Sequence, residues 1–181
     1  MLPPGHIAAG FLVAEAVSRV LKPNLSFDEH AWLVIWGMFF SFVPDLDTFY
    51  SFIREKSFTV RDPEQNDHRK YWSHAPVLWM LVGLSIFFVS KEQYWQIWGI
   101  LFWLCSWSHF VLDSVESGIM WFWPFSKKKF AFRQTQKIRI TTPGFFAYWI
   151  NFLKLYSKYY TFYFEIFIII SALLVFKQLY F

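Results

Sequence analysis

The sequence predicts an all-α, multi-pass membrane helix bundle of about five helices, with a short β-hairpin or extended basic loop on its cytoplasmic face. Three observations lead there. Of the 181 residues, 56% are hydrophobic and 24% aromatic, and only 17% are charged, against about 25% charged in ordinary soluble domains. The apolar residues gather into five runs parted by polar segments. Most of the basic residues then fall on one side of an up-and-down path through those runs. Length allows one membrane-embedded domain over residues 1–181, which closes with an interfacial segment and last helix over 141–181. The single cysteine, Cys105, lies inside an apolar run, so a disulfide scaffold is excluded.

The first run, Gly5 to Leu21, contains Glu15 and Arg19. Spaced four apart, they share a helix face and are expected to pair inside a bundle. No Lys or Arg precedes this run, so it does not read as a cleaved signal peptide. The second run, His30 to Val43, stops at Pro44, and the third spans Ala75 to Val89. These three are short and need polar flanks, or burial among neighbours, to act as membrane helices. The fourth, Tyr94 to Leu112, and the fifth, Tyr160 to Phe176, reach the roughly 17–25 residues that a span requires.

The connections at Lys22 to Glu29 and Ser90 to Gln93 are short, whereas Pro44 to His74 and Asp113 to Tyr159 are long. If every run enters the bilayer, the long connections and the amino terminus share one side. That side holds Arg54, Arg61, Arg69, Lys127, Lys128, Lys129, Arg133 and Arg139, while Lys22, Lys91 and Lys177 fall on the other. The positive-inside rule places the long connections in the cytoplasm, as in a prokaryotic-type inner membrane. Tyr71, Trp72, Tyr94, Trp95, Trp121 and Trp123 stand at run ends, where a half-polar ring suits the headgroup level.

This topology brings four polar stretches to one membrane face. His6 opens the first run, and Pro44-Asp45-Leu46-Asp47 closes the second. His68, Arg69 and His74 lead into the third, and His109 and Asp113 close the fourth. His109 and Asp113 are i and i+4, so a helix puts both on one face. Imidazole nitrogen with carboxylate oxygen suits Zn²⁺ and is compatible with Mn²⁺ or Fe²⁺. A lone histidine at a helix end is commonly just solvated. Four histidines and three aspartates converging favour a metal or catalytic site over coincidence. His30 lies on the far side and receives no role.

The order Gly5-His6, Pro-Asp-Leu-Asp, His68-Arg69 with Ser73-His74, Ser-His-Phe-Val-Leu-Asp-Ser and Trp123-Pro124-Phe125 resembles the YdjM-type family of predicted membrane-bound metal-dependent hydrolases. More remotely it is similar to the zinc-dependent phospholipase C and P1 nuclease superfamily. The resemblance implies one divalent ion held by Asp45, His68 or His74, His109 and Asp113, with Asp113 bridging to a second ion held by His6. Which of Asp45 and Asp47, and which of His68 and His74, are direct ligands stays open. Glu116 is either a substitute ligand or simply polar. In contrast to the soluble zinc enzymes, no histidine follows His109, and Met1 stands five residues before His6, so the amino terminus is not expected where theirs lies. The chemistry implied is phosphoester hydrolysis by metal-activated water. Asp47 or Asp45 would orient or deprotonate that water, and Arg69 would clamp a phosphate. A site at a lipid interface implies a phospholipid or lipid-linked phosphate as substrate.

Other partners and chemistries fit less well. The stretch from Ser126 to Arg139 alternates polar and apolar residues, which predicts the short β-hairpin on the membrane. Its basic residues either recruit anionic lipid to the site or simply anchor the cytoplasmic side by the positive-inside rule. No nucleic-acid fold signature appears despite the net charge of +4. A PAP2-type lipid phosphatase also ends a helix with His-x-x-x-Asp, but its Pro-Ser-Gly-His stretch is missing. A non-enzymatic membrane metal binder or scaffold would use the same helix ends.

Overall fold

The computed structural model describes residues 1–21, 24–55, 69, 71–116, 118–133, 140 and 145–181. Helices form on all five apolar runs: α1 (Pro3–Leu21), α2 (Phe27–Phe42), α4 (Pro76–Val89), α5 (Gln93–Asp113) and α7 (Tyr160–Tyr180). Two further helices lie in the long connections, α3 (Leu46–Glu55) and α6 (Phe145–Tyr156). The sequence reading assigned both to loops. α3 mixes charge with Leu46, Tyr50 and Ile53 at helical spacing, a pattern that dilutes its apolar content without breaking its period.

Helix ends follow local chemistry. Ser26 caps α2 in a reciprocal capping box with Glu29. Pro44 turns the chain into a 3₁₀ turn (Val43–Asp45) after α2, and Pro76 occupies the start of α4 directly after a second such turn (Trp72–His74). Proline is tolerated there because the first helical N–H groups have no partner within the helix.

α5 is central. It packs against α4, α2 and α1, and α1 also packs against α2 and α7. Phe11, Ala14, Leu33, Val34, Phe40, Leu101 and Cys105 form the buried core. Glycines permit the tightest crossings, as is common where helices pack without water. A Cβ on Gly99 of α5 would stand 2.7 Å from the Gly83 carbonyl oxygen of α4, and one on Gly83 would stand 2.6 Å from that of Gly99. Likewise a Cβ on Gly10 of α1 would fall 2.6 Å from the Gly37 carbonyl oxygen of α2.

Among the described residues one helix, α7, is long and apolar enough by length and composition to cross a membrane. The expected set of five spans is thus matched by five helices but by one clear candidate span. At 1.5 Å per residue, the 14 residues of α4 reach only about 21 Å, short of a hydrocarbon core of about 30 Å. α1 carries His6, Glu15 and Arg19, and α5 carries Gln93, Gln96, Ser106, His109 and Asp113, which lower their hydropathy. The pairing expected of Glu15 and Arg19 gives way to contacts between helices. Glu15 accepts a hydrogen bond from Tyr180 Oη at 2.7 Å and stands 3.6 Å from His30 Nε2.

Among the described residues there is no strand, and the expected hairpin is not seen. The basic segment instead pairs back onto the chain that leaves α5. Ile119 and Phe130 form an isolated antiparallel bridge, and the Phe132 and Arg133 N–H groups donate to the Ser114 and Val115 carbonyls. Residues 134–139 of the proposed hairpin lie outside the described residues.

Candidate metal centre

Three elements bring four residues to one place. α5 supplies His109 and Asp113 from its last turn, one above the other. The turn after α2 supplies Asp45, and the turn before α4 supplies His74. One donor atom from each of Asp45, His74, His109 and Asp113 lies within 4.8 Å of all the others. His74, His109 and Asp113 are buried, and Asp45 is at the edge of burial.

The two imidazoles are oriented from behind. His109 Nδ1 stands 2.9 Å from the Ser41 carbonyl oxygen. A carbonyl can only accept, so Nδ1 carries the proton and Nε2 presents its lone pair inward. His74 Nδ1 stands 2.9 Å from Asp47 Oδ2, which also accepts from Ser73 Oγ. The inward Nε2 atoms of His74 and His109 face each other at 3.4 Å. Asp45 Oδ1 lies 3.7 Å from each of them, and Asp113 Oδ2 lies 3.9 Å from that of His109. Two imidazole lone pairs and two carboxylates gathered out of water repel one another unless positive charge sits among them. Four ligands at about 2.0–2.2 Å from one ion hold their donors about 3.3–3.6 Å apart at tetrahedral angles, against 3.4–3.9 Å for the pairs above and at most 4.8 Å across the group. These residues fit a divalent cation.

His6 adds a second approach. It is fully buried and stacks on His109 with ring centroids 3.9 Å apart. Among the described residues neither of its ring nitrogens has a hydrogen-bond partner. Its Nε2 stands 3.6 Å from Asp113 Oδ1 and 3.8 Å from Asp45 Oδ2. Asp45 and Asp113 therefore each turn one oxygen toward His109 and the other toward His6.

Charge compensation is local. Asp113 lies at the carbonyl end of α5, where a carboxylate is disfavoured. Arg69 Nε donates to its Oδ2 at 2.5 Å, and the Met1 amino group lies 2.9 Å from its Oδ1. At His74 burial works against the charged ring, but hydrogen bonds and charge from Asp45 and Asp47 outweigh it and raise the pKa above the usual imidazole value. The carboxylates that favour a proton there favour a metal cation for the same reason.

Of the residues singled out in the sequence, Asp45, His74, His109 and Asp113 form the donor group, and His6 borders it. Asp47 stands behind His74, and Arg69 leans on Asp113. His68 lies outside the described residues. Glu116 accepts from the Thr161 hydroxyl and backbone N–H at the start of α7, outside the donor group. Two participants escaped the sequence reading. The Met1 amine reaches the site despite its distance in sequence from His6, because Leu2 and Gly5 fold back through the Leu2 carbonyl. The other is Glu165 on α7, which accepts from the Leu2 and Gly5 N–H groups and from Tyr156 Oη at 2.6 Å. Its signal was available: a lone carboxylate in the apolar run of α7 needs a reason to be there.

Fold and site together define a helical protein with one long apolar helix and a buried Asp/His cluster suited to a divalent cation. The chain belongs to the YdjM inner membrane protein family, whose model matches residues 1–180. No curated protein and no solved structure matches it. The family description gives an inner-membrane setting.

Proposed function

We propose that the protein is an integral membrane metal-dependent hydrolase that cleaves a phosphoester of a lipid or lipid-linked substrate at the cytoplasmic membrane surface. The observation carrying this reading is the inward Nε2 atoms of His74 and His109, gathered with Asp45 and Asp113 away from water. His74, His109, Asp45 and Asp113 would hold the ion, zinc by ligand type, with manganese or iron as the alternatives. His6 would serve a second ion through the outer oxygens of Asp45 and Asp113. A bound dication would acidify a water and polarise a phosphoryl oxygen. Asp47 fixes the His74 ring. Because both oxygens of Asp45 would face the ions, Asp47 would take the proton through its Oδ1, which has no hydrogen-bond partner among the described residues. Arg69, partly exposed above Asp113, places a planar cation where a phosphate would enter. The five apolar helices would sit in the bilayer as a bundle, with α1, α2, α4 and α5 crossing or dipping beside α7.

A metal-free reading has one observation in its favour: Arg69 and the Met1 amine already neutralise Asp113. Metal analysis by mass spectrometry of the full chain and of Asp113→Ala separates the two. The hydrolase reading expects a transition metal in the wild type, less in the variant, and phosphoester hydrolysis in detergent that a chelator abolishes. A metal-free wild type whose activity ignores the chelator overturns it.

A further inference from the structure

We propose that residues 121–133 form a dock for anionic phospholipid headgroups, seated in the headgroup layer beside the Asp/His cluster. This goes beyond the hydrolase reading and stands without it.

Position comes first. The Arg133 guanidinium lies 4.5 Å over the ring of Tyr160, the first residue of α7. Glu116, just upstream, binds Thr161 in the same turn. α7 is the helix fit to cross the bilayer, so the segment beside its first turn lies at the level where that helix meets the headgroups. The segment is also held in place. Phe130 bridges to Ile119, the Phe132 N–H donates to the Ser114 carbonyl, and Trp121 Nε1 donates to Ser114 Oγ.

The side chains it presents are chemically mixed. Phe125 is 87% exposed, Phe132 70% and Phe122 68%, and Lys127 and Lys128 between them are exposed too. Rings held open on a pinned backbone cannot fold away from water, whereas the acyl boundary of a bilayer covers them. The lysine stems can lie along that boundary while their ammonium groups reach the phosphates. An acidic protein or a nucleic acid would match the lysines but not the exposed phenylalanines around them. Anionic phospholipid matches both. Since Ser114 anchors the segment and follows Asp113, a headgroup held here lies next to the cluster.

The test uses the full chain in nanodiscs of mixed phosphatidylcholine and phosphatidylglycerol. Lipid retained on release is counted by native mass spectrometry. The wild type should retain phosphatidylglycerol in excess of its share. Lys127→Gln with Lys128→Gln should reduce that excess by about fivefold per lysine removed, with an unchanged melting temperature. In parallel, Phe125→Cys in a Cys105→Ser background carries an environment-sensitive fluorophore, which should report an apolar, lipid-quenchable setting. Equal phosphatidylglycerol excess in the wild type and the lysine variant overturns the proposal. So does water-like emission at position 125, including where an acidic protein or nucleic acid then binds the exposed loop.

Discussion

Asp47 Oδ2 and His74 Nδ1 stand 2.9 Å apart, and this contact decides which face of the imidazole meets the cluster. A carboxylate behind a ligating histidine fixes ring and tautomer together and raises the basicity of the far nitrogen. Removing such a partner characteristically weakens metal binding by about 10–100-fold. Asp47→Ala should show a loss in that range when metal is titrated against a competing chelator, with Asp47→Asn intermediate. Unchanged affinity in Asp47→Ala would mean that Asp47 does not orient His74 for a metal.

Glu165 should matter far more to stability than its place in an apolar helix suggests. Its carboxylate accepts from Gly5 N–H at 3.1 Å, Leu2 N–H at 3.3 Å and Tyr156 Oη at 2.6 Å. Glu165→Ala strands the Leu2 N–H and Tyr156 Oη, each costing about 1–3 kcal/mol when buried, and leaves the Gly5 N–H only its bond to the Leu2 carbonyl. A loss of about 2 kcal/mol or more is expected in chemical unfolding of the detergent-solubilised protein. Glu165→Gln, which keeps an acceptor oxygen, should lose less.

Gly99 tests the closeness of α4 and α5. Alanine there puts a Cβ 2.7 Å from the Gly83 carbonyl oxygen and 2.9 Å from the Phe87 backbone nitrogen. Backbone atoms of a packed helix cannot swing aside, so the helices must part. Overpacking of this kind costs about 1–3 kcal/mol. Gly99→Ala should lower the melting temperature, and His109, on the same helix, should lose metal affinity with it. A melting temperature equal to that of the wild type would show that the two helices are free to separate.

The start of α2 gives a pH-dependent prediction. Ser26 Oγ accepts from Glu29 N–H, while Glu29 Oε2 accepts from Ser26 N–H at 2.8 Å. The bond from the Ser26 backbone, and then that from its hydroxyl, hold the Glu29 pKa below its ordinary value. A depressed folded-state pKa stabilises the protein above the unfolded value, and that contribution is lost as pH falls through the folded one. Ser26→Ala should cost about 1 kcal/mol at neutral pH. Its deficit against the wild type should narrow below the usual glutamate pKa of about 4.3. A deficit that holds constant across that range would count against the reciprocal cap.

The convergence of Asp45, His74, His109 and Asp113 was legible in the sequence, because short far-side turns bring alternate helix ends together and i,i+4 spacing fixes the His109–Asp113 pair. Roles within the group were less so. Asp45 and Asp47 differ by two positions, yet a 3₁₀ turn gives one to the cluster and passes the other to the back of His74. Sequence spacing does not show where such a turn ends. Glu15 drew the same kind of misreading. Its i+4 neighbour Arg19 was visible, whereas Tyr180 and His30 reach it only once α7 and α2 are packed. Helix α3 hid because an amphipathic helix in a long connection looks polar on average, whereas α6 is apolar but, at 12 residues, too short to read as a span.

The bonds from Glu165 to the first turn of α1 set an order on assembly. His6 leaves the ribosome early, but the carboxylate that braces its turn arrives about 160 residues later, by the separation of Gly5 and Glu165. Until α7 is made, the amino-terminal turn lacks its brace. A nascent chain therefore carries an immature site through most of its synthesis, and arrest between Asp113 and Glu165 would leave every aspartate and histidine of the cluster present but the turn before His6 unbraced.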